Sequence, residues 1–171
     1  AVVKQAPAAN FCATSFLAAN KWLLAVDGVN DPGNLGSLLR IADWFGIEEI
    51  LCSPTSVEVY NPKVIAASKG SFLRVTVSYL PLTQVLPELA AAAISPLPLV
   101  GAVLNGQPLP QLAAELKQQA SGVLVLGSEA HGLSPEVEAL LTHQLTIPRL
   151  GQAESLNLGV AAGIICAGLL L

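Results

Sequence analysis

The chain is short of the residues that carry metal, disulfide and bulk nucleic-acid binding. Its 3 cysteines, Cys12, Cys52 and Cys166, are odd in number, far apart and without Cys-x-x-Cys or Cys/His spacing, so neither a disulfide framework nor a zinc site is indicated. A reducing cytoplasm suits such free thiols. Only 8 lysines and arginines stand against 12 acidic residues, a net charge of −4, which is not the footprint of a domain that holds RNA or DNA by bulk electrostatics. The longest apolar run, Leu158 to Leu171, falls short of the roughly 20 residues that span a bilayer and reads as a buried helix. The opening "AVVKQAPAAN" has neither methionine nor a basic-then-apolar leader, and reads as a cut from a longer polypeptide. Charged residues are also scarce, 12% against 53% hydrophobic, which points to a surface partly covered by a partner, most simply a second copy.

What is present is alternation. After residues 1–20, which show no clear period and read as a linker or lead-in, apolar runs of strand length alternate with helical patterns. Strands are expected at Trp22–Val26, Glu49–Cys52, Leu73–Val77, Leu99–Val103, Val123–Leu126 and Leu145–Ile147. Helices are expected at Asn34–Phe45, around Pro62–Ala67, and at Thr83–Ile94, Leu112–Gln119, Pro135–Leu141 and Leu156–Leu170. Short strands that are apolar on both faces, separated by helix-sized segments, are the mark of a mostly parallel sheet covered by helices. The expected architecture is therefore one α/β domain over residues 21–171.

Three stretches carry chemistry. In "DGVNDPGNLGSLLRIADWFG", Asp27 to Gly46, a glycine-rich turn leads into a helix with Leu35, Leu38, Leu39, Ala42 and Phe45 on one stripe. Arg40 falls nearly opposite, beside Gly33, Gly36, Ser37 and Trp44, whose small members leave room for a substrate or a second subunit. In "VLVLGSEAHGLSPEV", Gly127 and Gly132 bracket a turn that places Ser128, Glu129 and His131 at the carboxyl edge of the sheet, where ligands of open α/β sheets bind. Glu129 there reads either as a base or hydrogen-bond acceptor for a ligand or as a surface acid, and His131 as an acid–base group or an incidental loop histidine. Ser134 before Pro135 reads as an N-cap. In "LTIPRLGQAESLNLGVAAGIICAGLL", Ser155 reads as the N-cap of a last helix, and Gly159 and Gly163 let another backbone come close, within the fold or across a dimer. A nicotinamide-dependent Rossmann enzyme, a third reading, needs a G-x-G-x-x-G fingerprint that "GVNDPGNLG" does not supply.

In order and at domain-scale spacing, "DPGNLGSLLRIADWFG", "LGSEAHGLS" and "IPRLGQAESLN" resemble the three motifs of the SpoU (TrmH) family of RNA ribose 2′-O-methyltransferases, in the SPOUT superfamily. The segment "NPKVIAASKGSFLRV" is similar to the stretch between that family's first two motifs. The resemblance implies a deep C-terminal trefoil knot, one of the rare exceptions to unknotted topology, and a knot-borne site for S-adenosylmethionine. It also implies a homodimer through the first and last helices, an RNA substrate, tRNA or rRNA, and no metal. Position by position it puts Asn34, Arg40, Glu129, Ser155 and Asn157 in the catalytic set. It puts Leu104, Gly127, Ile147, Leu156 and Asn157 around the cofactor. Where the family often has methionine after the third motif's proline this chain has Arg149, and Gly159 stands where serine is common. Lys63, Lys69, Arg74 and Arg149 remain as phosphate contacts, with other RNA affinity expected from a missing N-terminal region. A non-catalytic knotted dimer that binds RNA or a nucleotide is the alternative.

Overall fold

The structure, a computed structural model, describes residues 11–19 and 21–171. In chain order it runs α1 (Ala13–Ala18), β1 (Trp22–Asp27), α2 (Pro32–Trp44), β2 (Glu49–Cys52), α3 (Pro62–Ser68) and a 3-10 turn at Ser71–Leu73. There follow β3 (Thr76–Tyr79), α4 (Leu82–Ala92), β4 (Leu99–Pro108), α5 (Leu109–Leu116), β5 (Gly122–Gly127), α6 (Pro135–Glu138), β6 (His143–Thr146) and α7 (Leu158–Leu170). All five strand pairings are parallel and the order is β3-β2-β1-β5-β4-β6.

Because successive side chains of a strand point to opposite faces, each central strand feeds two cores. Leu24 and Val26 of β1, Ile50 of β2 and Leu124 and Leu126 of β5 pack with buried residues of α2, α5 and α7. Leu23, Ala25, Leu51, Val123 and Val125 pack on the other side, beneath α1, α4 and the start of α6. The sheet is thus sealed on both faces, which is the physical reason its strands read as continuous apolar runs. Each fully buried leucine contributes about 1.5–3 kcal/mol relative to exposure.

Several element ends differ from the sequence expectation. The strand expected at Leu73–Val77 begins only at Thr76, because Arg74 and Ser71 are tied by hydrogen bonds to Asp43 of α2 and the chain is held in a 3-10 turn, with Leu73 left 76% exposed. The last helix starts at Leu158 rather than Leu156, capped by Asn157. The stretch expected as a lead-in contains α1, whose Phe16 is buried in the second core; residues 1–10 lie outside the described residues.

β4 carries the main irregularity. Ala102 and Gln107 both lie opposite Leu145 of β6, so Val103 to Gly106 leave the register between them. Gly106 makes this possible, since a Cβ there would stand 2.6 Å from the β6 main chain at Gln144 and Leu145. Leu104, in the displaced segment, is 77% exposed.

Candidate active site

β1 and β5 are neighbours at the centre of the sheet, yet the chain leaves them in opposite directions. From β1 it passes through α2 to β2, and from β5 through α6 to β6, on opposite faces. Such a divergence opens a crevice at the carboxyl ends of the strands. A cleft of about 200 Å³ lies there, with Gly28, Asp31 and Asn34 on one wall and Ser128, Glu129 and Leu158 on the other.

The first wall is built by local hydrogen bonds. Gly28 takes a φ of +68°, and its N–H donates to Ser53 Oγ at 2.8 Å, which ties the loop to the end of β2. Asp31 caps α2 by accepting the Asn34 N–H at 2.9 Å, with Pro32 in the first turn. Asn34 is thereby held in the first turn of α2, only 6% exposed. The second wall is the β5–α6 loop. Ser128 and Gly132 exchange main-chain hydrogen bonds of 3.0 and 2.9 Å, which leaves Glu129, Ala130 and His131 at the tip. A Cβ on Gly127 would stand 2.1 Å from the Gly132 carbonyl carbon, so only glycine admits this return.

Asn157 joins the two walls. Its Nδ2 donates to Asn34 Oδ1 at 3.0 Å and to Glu129 Oε1 at 3.1 Å, while its Oδ1 accepts from the N–H groups of Gly159 and Val160. Glu129 Oε1 also accepts the Leu158 N–H at 3.2 Å, so its carboxylate sits against the start of α7, where the helix field favours negative charge. Both amide hydrogens of Asn157 are engaged within the protein. Asn157 is therefore the tie between the three motifs, and Glu129, which lines the cleft, leaves Oε2 without a hydrogen-bond partner among the described residues.

The remaining expected residues are placed differently. Arg40 is exposed and outside this network; it lies three residues beyond Ser37, against which Gly159 of α7 packs, since a Cβ on Gly159 would stand 3.1 Å from Ser37 Cβ. Gly36 does not leave space beside Arg40 as expected. It is buried under α3, where a Cβ would meet Ala67 Cβ at 2.4 Å. Ser155 is exposed, and the capping role expected of it belongs to Asn157, because the helix begins two residues later. His131, exposed, does line the cleft beside Glu129, its N–H donating to Ser128 Oγ at 3.2 Å. Gly127 ends β5, Ile147 directly follows β6 and Leu156 stands just before α7, whereas Leu104 lies within the segment of β4 that leaves register; its carbonyl accepts Thr146 Oγ1 at 3.0 Å. Gly163 has open space where a Cβ would go.

Among the cations, Arg74 is not a free phosphate contact. Its Nε and Nη2 clasp Asp43 at 2.9 and 2.6 Å, and this guanidinium, with the Ser71 hydroxyl, holds the Asp43 carboxyl below its ordinary range. Arg149 donates to the Ala153 carbonyl within its own loop, whereas Lys63 and Lys69 are exposed on α3 and at its end, beside α2. Sequence reasoning missed Asp27 and took Ser134 only for a cap. Ser134 directs both its N–H and its hydroxyl to Asp27 Oδ2, at 2.8 and 2.6 Å, a long-range pairing with no local signal. No three His, Cys, Asp or Glu residues among those described form a group able to hold a metal ion, and no described helix is long and apolar enough to cross a membrane.

Residues 21–167, which include the whole sheet, match the model of the SpoU rRNA Methylase family. The 23S rRNA (guanosine(2553)-2′-O)-methyltransferase RlmP of Bacillus subtilis is 33% identical over 150 residues, which cover 87% of this chain and 58% of that protein. The SpoU methyltransferase AviRb of Streptomyces viridochromogenes, solved in complex with AdoMet, superposes with a TM-score of 0.76 at 29% identity, over 86% of this chain and 58% of that one. An AdoMet-bound rRNA methyltransferase of Sinorhizobium meliloti gives 0.78 at 28% identity, over 87% and 55%. The chain thus spans little more than half the length of these relatives. With its three motifs meeting at one switch-point cleft and the family match running from β1 into α7, the chain belongs to the SpoU rRNA methylase family.

Proposed function

We propose that residues 21–171 form the catalytic domain of an S-adenosylmethionine-dependent methyltransferase acting on a ribose 2′-hydroxyl of tRNA or rRNA. The observation that carries this is the Asn34–Asn157–Glu129 tie, which draws all three family motifs to one cleft. The displaced segment of β4 and the loop before α7 suit an adenosyl group: they offer main-chain donors and acceptors together with the exposed leucines Leu104 and Leu156, an apolar lining fit for a flat base. When bound, S-adenosylmethionine supplies an electrophilic methyl group on a sulfonium.

The residues of the chain then have to place the 2′-oxygen and manage its charge. Orientation of this kind contributes up to about 7–11 kcal/mol in ideal cases. Arg40, exposed and unpaired among the described residues, is suited to clamp an RNA phosphate and stabilise the oxygen as negative charge develops. A guanidinium carries donors and no acceptor, which makes it a poor base, so the clamp is the better-supported role. Glu129, anchored through one oxygen, offers the other as an acceptor for the ribose hydroxyl. Lys63 and Lys69, exposed on α3 and at its end, are further candidates for phosphate contact. Ser155, exposed in the loop before α7, is left to contact substrate or cofactor directly.

The same reading includes a C-terminal knot, in which the loop after β6 is threaded before α7, and a cytoplasmic homodimer. Supporting the dimer are Trp44, 84% exposed at the end of α2, and the outer face of α7, with Val160 52% and Ile164 39% exposed around the open Gly163. The test is calorimetry with S-adenosylmethionine against NAD, followed by transfer of labelled methyl to rRNA and tRNA by wild type and Arg40→Ala. Cofactor binding with transfer that Arg40→Ala abolishes is the expected result. Cofactor binding without transfer would favour the binding-only dimer, and NAD binding would overturn both.

A further inference from the structure

Asp27 sits at the junction of the two cleft walls. Its backbone lies opposite Gly127 in the β1–β5 register, where the Glu129 loop begins. Its Oδ2 accepts the Ser134 N–H at 2.8 Å and the Ser134 hydroxyl at 2.6 Å, where that loop ends. One residue thus holds both ends of the loop that presents Glu129, while the chain that follows it, from Gly28 to Asn34, is the opposite wall. Ser134 gives up the usual N-cap bond of α6 to make this contact, its side chain capping no helix N–H. A hydrogen bond to an ionised acceptor is roughly twice as strong as a neutral one.

From this geometry we infer that Asp27 is a positioning residue for methyl transfer, setting the Glu129 loop against Asn34 so that Asn157 can bridge them. The inference rests on the methyltransferase reading above. Among the described residues Asp27 hydrogen-bonds to neither Glu129 nor Asn157; it acts through Ser134. Releasing the loop end loosens the wall from which Glu129 meets Asn157 Nδ2, at 3.1 Å, against the 3.0 Å bond to Asn34 on the other.

The experiment compares Asp27→Ala, Asp27→Asn and Ser134→Ala with wild type in methyl transfer, together with Glu129→Ala and the Asp27→Ala/Glu129→Ala double variant. A misplacement near 1 Å costs on the order of 100-fold, and Asp27→Ala is expected to lower kcat by that order. KM for S-adenosylmethionine should stay within about twofold, since an interaction lost only in the transition state leaves it alone. Asp27→Asn, whose amide oxygen accepts both Ser134 donors, should recover most of kcat; Ser134→Ala, which retains the N–H bond, should fall between. The double variant should be no worse than the poorer single variant, because the two residues act through one loop. A stabilising role alone would lower Tm while leaving kcat per folded molecule intact, or give multiplicative losses in the double variant; either outcome overturns the proposal. Should Asp27→Ala fail to fold, Ser134→Ala decides by the same criteria. Amide hydrogen exchange at Ser134 and Leu158 separates the two levels of inference. If wild type transfers no methyl group, the functional reading falls, and unchanged exchange at both amides in Asp27→Ala would overturn the positioning role as well.

Discussion

Replacing Asn157 by alanine tests the site at its joint. The side chain caps α7 through two N–H groups, and losing such a cap costs about 1 kcal/mol, within a range of 0.5–2. It also supplies the Nδ2 hydrogen for Asn34 Oδ1, on a residue only 6% exposed, and a buried acceptor left unpaired costs about 1–3 kcal/mol. The low end applies, because truncating the exposed Asn157 admits water to Asn34. Glu129 loses less, since Oε1 keeps the Leu158 N–H. The sum is about 2–3 kcal/mol, which for a chain of this size lowers Tm by roughly 4–12 °C at 2–4 °C per kcal/mol. The assay is calorimetric or circular-dichroism melting of Asn157→Ala beside Ser155→Ala. The serine, exposed and without a side-chain hydrogen bond among the described residues, should shift stability by no more than about 0.5 kcal/mol. Asn157→Asp should hold an intermediate place, keeping the cap but setting a second carboxylate against Glu129. A Tm for Asn157→Ala within about 2 °C of wild type would refute the reasoning, as would an equal loss for Ser155→Ala.

Two further predictions concern the surface. In the native chain at pH 8, one thiol should react promptly with iodoacetamide and three after denaturation, as counted by mass spectrometry. Hydrogen bonds from Ser15 and Thr14 lower the exposed Cys12 thiol to about 7, whereas burial pushes Cys52 and Cys166 up to about 12; rapid native labelling of either buried cysteine would contradict the packing of β2 or α7. Sedimentation should show a dimer that Gly163→Leu or Trp44→Glu weakens without unfolding the chain, since neither position is packed within it. Overpacking an interface costs about 1–3 kcal/mol, and a monomeric wild type would remove the dimer reading.

The sequence by itself determined the layered α/β class, most strand positions and the identity of the motifs, because these depend on neighbours a few residues apart. Two-faced apolar runs report a sheet sealed on both sides, and Asp31-Pro32 reports a helix start. Only the tertiary structure decided what the motif residues do to one another. The order β3-β2-β1-β5-β4-β6 puts β1 beside β5, and so brings Asn34, Glu129 and Asn157 together from distant parts of the chain. Local pattern made Ser155 a cap, Ser134 another, Arg74 a free cation and Gly36 an open space beside Arg40. In the fold Asn157 caps α7, Ser134 turns to Asp27, Arg74 is held by Asp43, and α3 covers Gly36. Each of these depends on a partner supplied by another element, and a hydrogen bond or a close approach of that kind leaves no period in the sequence, because the distance along the chain is unrelated to the distance in space.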